Sequence, residues 1–167
     1  MDLNNRKNKH GNIFNKDIIH PYYDKILDGI ITEDEIKELN GLTSIVKVRN
    51  NDELMTIVDF YSKNYPKDSL NWLDVSRITE MTKLFQYTDY TGDISKWDVS
   101  MVENMSRMFM HSKFDNDISQ WDVSNVKNMS QMFFHSIFNQ DISQWDVSNV
   151  TDMEAMFNIS FFDKDIS

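Results

Sequence analysis

A repeat of 24 residues constrains the fold of this chain more than any other feature. Four segments, which begin at Leu73, Trp97, Trp121 and Trp145, align in register without insertion or deletion. Eight columns hold the same residue in all four copies, and in the first copy they are Asp74, Val75, Ser76, Met81, Phe85, Asp93, Ile94 and Ser95. A single copy of this length cannot bury its own apolar residues, so the copies must stack around a shared core.

Each copy reads as a strand followed by a helix. Ile118, Trp121 and Val123 follow an I-x-x-W-x-V pattern, which has the spacing of the strand in leucine-rich repeats. Trp121 and Val123 are two residues apart and therefore share the core face of that strand. The apolar residues Val126, Met129, Met132 and Phe133 then recur at steps of three, three and one, which predicts a short helix.

The predicted fold is an α/β repeat solenoid of the leucine-rich-repeat type with four strand–helix copies. The copies span residues 73–96, 97–120, 121–144 and 145–167. Residues 1–20 are polar and predict a flexible leader, and residues 21–72 predict an N-terminal cap of short helices, a strand at 43–49 and a helix at 52–64. Within the cap, Thr32 and Glu35 form a T-x-x-E capping box.

The segments "WDVSNVTDMEAMF", "FNQDISQWDVSNV" and "GDISKWDVS" resemble the repeats of the BspA-like family, which is related to leucine-rich repeats and is described as having mycoplasma-type lipoprotein repeats. The resemblance covers residues 71–167. It implies a solenoid that is used for binding, often as an adhesin on a cell surface.

The charge of the chain limits its partners. The full chain has a formal net charge of -10, and residues 73–167 carry 15 acidic and 7 basic side chains. Such an array repels nucleic-acid phosphates and suits a basic protein surface. We therefore predict a protein partner with a basic surface and no direct binding of nucleic acid.

The sequence contains no recognisable arrangement of catalytic residues. The chain has no cysteine, which excludes disulfides, thiolate metal sites and a cysteine nucleophile. No catalytic triad pattern, phosphate-binding glycine loop or zinc signature occurs, and His111 and His135 share a column without a third ligand. We predict a non-enzymatic protein with no cofactor and no metal site.

An acidic column on the predicted strand face is the first candidate binding site. Asp98, Asp122 and Asp146 occupy the same position in successive copies, where like charges repel across about 4.8 Å. Each carboxylate either accepts hydrogen bonds from the adjoining turn or engages Lys and Arg of a partner. The polar neighbours assigned to this site are Ser100, Gln120, Ser124, Gln144 and Ser148.

Variable columns supply a second candidate site. Met110, Phe134, Ile137 and Phe161 lie outside the core pattern, at positions that change between copies. If they are exposed they form an apolar contact patch, and if they are buried they fill gaps beside the core.

We predict from these patterns that the chain is a protein-binding solenoid that uses its acidic strand face and variable columns. Two alternatives remain: a surface adhesin whose leader was removed, and an acidic inhibitor that occupies a basic, nucleic-acid-binding cleft. The sequence shows neither a signal peptide nor an 18-residue apolar stretch, which predicts a cytoplasmic protein with no membrane insertion unless a leader preceded it. The uncovered last copy predicts either a homodimer through that copy or a truncated array.

Overall fold

The computed structural model describes residues 25–26, 28–32, 34–35, 46–48 and 50–165. The predicted leader, residues 1–20, lies outside the described residues. The regular elements whose full bounds are described are strand β1 (Val46–Lys47), helix α1 (Asn51–Asn64) and strand β2 (Leu73–Asp74), in that order. β1 and β2 pair in parallel, with Val46 opposite Leu73 and Lys47 opposite Asp74.

Helix α1 is an amphipathic helix with a defined start. The side chain of Asn50 accepts a hydrogen bond from the N–H of Glu53 at 3.0 Å, which satisfies one of the unpaired donors of the first turn. The apolar face, Leu54, Ile57, Val58 and Tyr61, is fully buried. The helix therefore covers the N-terminal end of the core, and it begins one residue before the predicted span of 52–64 and ends with it.

The predicted capping box is confirmed ahead of this helix. The N–H of Glu35 donates to the hydroxyl of Thr32 at 3.3 Å, and the N–H of Thr32 donates to the Glu35 carboxylate at 3.0 Å. The two bonds satisfy two helix-start donors reciprocally.

The four copies are hydrogen-bonded to one another at an offset of 24 residues. Parallel bridges join Glu80 to Asn104, Asn104 to Asn128 and Asn128 to Asp152. These bridges hold successive copies side by side in the register that the sequence alignment predicts.

The structure of each copy differs from the predicted strand and helix. Residues 65–165 contain no helix, and the segment around Met129, Met132 and Phe133 forms successive turns. Met132 N–H donates to the Met129 carbonyl at 3.1 Å, and Gln131, the third residue of that turn, has a φ of 56°. A positive φ at this position is typical of a type II turn and interrupts a helix.

Energetics explain why turns replace the helix. A helix of two turns would leave most of its terminal N–H and C=O groups without partners. In the turns, alternate N–H groups donate three residues back and the others donate to the next copy, so the main chain is satisfied along the whole segment. The apolar residues of this segment are nevertheless fully buried: Val126, Met129, Met132 and Phe133. The backbone conformation of the turns repeats every four residues, which is close to the helical period of about 3.6 residues, so the same residues face the core.

The strand predicted at Trp121 and Val123 is also absent. The N–H of Trp121 donates to the Ile118 carbonyl at 3.1 Å, and the N–H of Val126 donates to the Val123 carbonyl at 2.9 Å. Two turns so close together bend the chain around the tryptophan, so the pairing between copies moves to the asparagine positions.

Two stacks of aromatic rings form the core. Phe85, Phe109, Phe133 and Phe157 follow one another at centroid distances of 5.4, 5.5 and 5.6 Å. A second stack, Tyr90, Phe114, Phe138 and Phe162, runs beside it, and Phe133 and Phe138 are 4.1 Å apart.

The tryptophans close the opposite side of this core. Trp97, Trp121 and Trp145 are buried, and each indole N–H donates to the carbonyl 27 residues earlier, that of Leu70, Ile94 or Ile118, at 2.8, 3.3 and 3.2 Å. This column therefore belongs to the core, as its pairing with valine predicts.

Candidate protein-binding surface

The predicted acidic column is exposed and held in fixed turns. Oδ1 of Asp98 accepts bonds from the N–H of Ser100 at 3.1 Å and from its hydroxyl at 2.6 Å. Asp122 accepts from the N–H of Ser124 at 3.0 Å, and Asp146 accepts from the N–H of Ser148 at 3.0 Å. The three serines of the predicted site therefore orient the carboxylates.

These bonds favour the charged form of the carboxyl groups. The side chain and the backbone N–H of Ser124 hold the pKa of Asp122 below its usual value, although the charge of Asp146 opposes this. Ser148 lowers the pKa of Asp146 in the same way. Asp122 and Asp146 therefore stay negatively charged at neutral pH, although the charge of Asp146 opposes that of Asp122.

A second acidic column lies near the end of each copy, one turn before the Asp of the next copy. Asp93, Asp117 and Asp141 accept the N–H of Ser95, Ser119 and Ser143 at 2.8, 2.8 and 2.9 Å. These bonds give the second column a structural role in its turn. Together the two exposed columns form one surface, which we call the acidic face: Asp93, Asp98, Asp117, Asp122, Asp141 and Asp146.

The acidic face is not neutralised within the part of the chain that the structure describes. None of its six carboxylates lies within 4.0 Å of a described lysine, arginine or histidine nitrogen. Elsewhere in the repeats, Lys113 pairs with Asp89 at 3.0 Å and Lys127 pairs with Glu103 at 2.7 Å. These basic residues form their ion pairs elsewhere, whereas at the acidic face the backbone and side chain of Ser143 lower the pKa of Asp141 and the charge of Lys164 adds to that effect.

A third turn, formed by Asn in the second and third copies and by Asp152 in the fourth, shows what the fold accepts. Asn104 and Asn128 accept the N–H of Ser106 and Ser130 at 2.9 and 2.8 Å, in the same arrangement as Asp98 and Asp122. An amide oxygen is thus sufficient for this turn. The negative charge in the Asp98 column exceeds what the turn needs.

The two predicted glutamines lie between the acidic columns. Gln120 and Gln144 are exposed, and their amides donate to the hydroxyls of Ser119 and Ser143 at 3.3 and 3.4 Å. These long bonds leave the amides able to turn towards another molecule.

The predicted apolar patch is divided between surface and core. Ile137 and Phe161 are 44% and 73% exposed, whereas Met110 and Phe134 are half-buried. Phe161 lies beside Ile137, because its N–H donates to the Ser136 carbonyl at 3.2 Å. Ile137 and Phe161 are therefore the exposed members of the predicted patch, and Met110 and Phe134 are only half-exposed.

A neighbouring row was missed by the sequence prediction. Tyr87 and Ile159 are 67% and 64% exposed, and the ring of His111 lies 4.9 Å from Tyr87 and 4.4 Å from His135. All four residues have a positive φ, which the sequence does not reveal because no glycine marks the position. The available signal was the variability of this column between copies.

The described residues contain neither a clustered metal site nor a helix that could span a membrane. Within the described ranges, no group of three or more His, Cys, Asp or Glu side chains is arranged to hold a metal ion. Nor does any described helix combine the length and the apolar character needed to cross a membrane.

Comparison with known proteins places the repeats in a family. The family model described as "Mycoplasma protein of unknown function, DUF285" matches residues 55–167, which is more than half of the chain. No curated protein and no solved structure matches the chain.

Proposed function

The chain belongs to the DUF285 family of Mycoplasma proteins of unknown function, and we propose that it is a non-enzymatic, protein-binding solenoid. Its acidic face engages the basic side chains of a protein partner. We also propose the finer classification as a BspA-like protein, which the W-D-V-S-N-V and M-x-x-M-F segments support.

The observation that carries this proposal is the difference between two columns with the same turn. Asn128 completes its turn without charge, whereas Asp122 completes an equivalent turn with a carboxylate that has no described basic partner. Uncompensated charge on a folded surface costs free energy through repulsion. A column of such charges is explained if a basic partner neutralises it.

Rigidity supports the same function. Each Asp carboxylate is fixed through Oδ1 by the serine two residues later, so its Oδ2 keeps one direction in every copy. A preformed row of acceptors loses little conformational entropy on binding. Ile137 and Phe161 add exposed apolar area on the variable columns, where contacts discriminate between partners.

The test uses a variant that removes the charge and keeps the turn. In Asp98→Asn/Asp122→Asn/Asp146→Asn, the amide oxygen can still accept from the serine, as Asn104 and Asn128 do. The probe is a synthetic peptide of eight alternating lysines and arginines, with binding measured by fluorescence anisotropy across a salt series. Exposed charge pairs contribute up to about 1 kcal/mol each, so we expect the variant to bind roughly ten- to a hundredfold more weakly.

A matched control separates the face from net charge. Glu80→Gln/Asp89→Asn/Glu154→Gln removes the same number of charges from exposed positions outside the acidic face. We expect this control to lose less than about threefold in affinity, in keeping with screening of distant charges. Equal losses in the two variants would show a general charge effect and would overturn the proposal, provided that both variants melt near the wild-type temperature.

One further candidate function follows from the linear repetition of the charges. Carboxylates that repeat along the stack form a line of negative charges, as the phosphates of a nucleic acid do. Our alternative proposal is therefore that the chain inhibits a nucleic-acid-binding protein by occupying its basic cleft. Competition between the chain and a double-stranded oligonucleotide for a set of basic DNA-binding domains would distinguish it. The surface-adhesin alternative is tested by the gene, which would have to encode a secretion signal upstream.

A further inference from the structure

The fourth copy leaves the core uncovered on its outer side. Val147 and Met153 are 40% and 41% exposed, whereas their equivalents in the third copy, Val123 and Met129, are 1% and 0% exposed. Trp145, Met156 and Phe157 line an open cavity of about 570 Å³ together with Val147 and Met153. We call this surface the end face.

The main chain gives the end face a direction. Met81 N–H donates to the Asn104 carbonyl at 2.9 Å, Met105 donates to Asn128 at 2.9 Å, and Met129 donates to Asp152 at 2.8 Å. Three further columns, which start at Lys83, Phe85 and Tyr87, repeat this pattern through all four copies. In all four columns the N–H groups point towards the fourth copy and the carbonyls point towards the first.

As a consequence, the fourth copy presents a row of donors at its edge. The N–H groups of Met153, Ala155, Phe157 and Ile159 are equivalent to those that donate from the third copy. Among the described residues, none of the four has an acceptor. The row borders the exposed apolar residues, so the end face combines four aligned donors with an uncovered core.

This polarity opposes self-association through the end face. Two copies of the chain that met tail to tail would place these four donors against each other, although bonds of the opposite direction, such as Thr151 N–H to the Lys127 carbonyl, flank the row. Head-to-tail stacking is opposed as well, because α1 covers the N-terminal end with Leu54, Ile57, Val58 and Tyr61 fully buried. The geometry therefore disfavours the homodimer that the sequence predicts for this end.

We propose that the end face is the docking surface for a partner segment of the same 24-residue pattern, stacked in parallel as a next layer. Such a segment offers carbonyls at the positions equivalent to Asp152, Glu154, Met156 and Asn158, which already accept the donor row of the third copy. The Met and Phe of that segment would cover Met153 and Phe157, in the same way that Met153 and Phe157 cover Met129 and Phe133. The docking surface thus continues an interface that the chain already uses between its own copies, and it does not depend on the acidic face.

The experiment extends the full chain by one layer. A duplicate of residues 144–167 is fused after Ser167, which preserves the period, and the control carries a scrambled segment of the same composition. We expect the duplicate to raise Tm by roughly 5 °C and to slow exchange of the four edge N–H groups by roughly tenfold or more, as measured by hydrogen exchange.

Two results would overturn this inference. Equal exchange of the Ala155 and Phe157 N–H groups in the duplicate and scrambled chains would show that the end face does not accept a layer. Light scattering of the unextended chain that shows a dimer, with the same N–H groups protected, would identify a second copy as the occupant. Neither result bears on peptide binding by the acidic face, which is measured separately.

Discussion

Replacement of Lys83 by glycine should stabilise the protein. Lys83 has a φ of 61°, in the left-handed region that costs an ordinary L-residue about 1–2 kcal/mol. Its side chain is exposed and has no ion pair or hydrogen bond in the described part of the structure. Glycine removes the strain but adds about 0.4–1 kcal/mol of conformational entropy in the unfolded chain. We therefore expect a net gain of up to about 1 kcal/mol.

Lys96 provides the matched control. It is also an exposed lysine of the repeats, but its φ is not positive. Lys96→Gly removes the same charge and adds the same conformational entropy to the unfolded chain, but it relieves no strain. It should therefore destabilise the protein by about 0.4–1 kcal/mol. Because the shared costs cancel, the two variants should differ in free energy of unfolding by about 1–2 kcal/mol, which is the strain at Lys83.

Urea denaturation followed by tryptophan fluorescence measures this difference. The midpoints should move in opposite directions while the m-values stay equal, because neither change alters the surface exposed on unfolding. If both glycine variants lost the same stability, the positive φ would carry no strain, and the turn description of the repeats would need revision.

Three other outcomes follow from the packing and the turns. Phe133→Ala should cost about 3–5 kcal/mol of unfolding free energy because Phe133 is fully buried between Phe109 and Phe157, whereas Phe157→Ala, at the half-buried end, should cost about half as much in the same urea assay. Tyr90→Phe removes the buried hydroxyl that donates to the Asp68 carbonyl at 2.8 Å and should cost about 1–3 kcal/mol, while Tyr87→Phe, 67% exposed, should leave Tm unchanged. Serine bonds lower the pKa of Asp122 and Asp146 in the folded state, so their stabilising effect is present above the ordinary aspartate pKa near 3.9 and is lost as pH falls through the lowered values. Tm should therefore fall with pH below about 4, and Asp122→Asn/Asp146→Asn should show a weaker dependence in a calorimetric pH series.

The register and the buried columns could be read from the sequence, but the path of the main chain could not. Identity at 24-residue spacing fixes which residues lie side by side, and the apolar columns at Met129 and Phe133 fix what is buried. The same spacing suits a helix and a series of four-residue turns equally well. The deciding feature is the positive φ at Lys, Arg, Gln and His residues, which have no sequence signature for that conformation.

The candidate site shows the same division. The bond from Ser124 to Asp122 is local, because the two residues are two positions apart, and the sequence suggested it. The exposure of Tyr87 and Ile159 depends on a backbone conformation that the sequence does not mark, so both residues were missed. Local hydrogen bonds were accessible to prediction, whereas side-chain direction in strained turns was not.

The geometry of the acidic face also bears on which basic residue it suits. Asp122 and Asp146 occupy equivalent turns of adjacent copies, and the charge of Asp146 acts on Asp122, so two separate ammonium groups bound to them would also repel each other. A planar guanidinium offers several donors in a fork and can bridge two carboxylates of adjacent copies. Lysine brings a single compact charge and would neutralise one carboxylate at a time. If the acidic face binds a basic partner as proposed, its fixed carboxylates favour one that presents arginines along a line with the period of the copies.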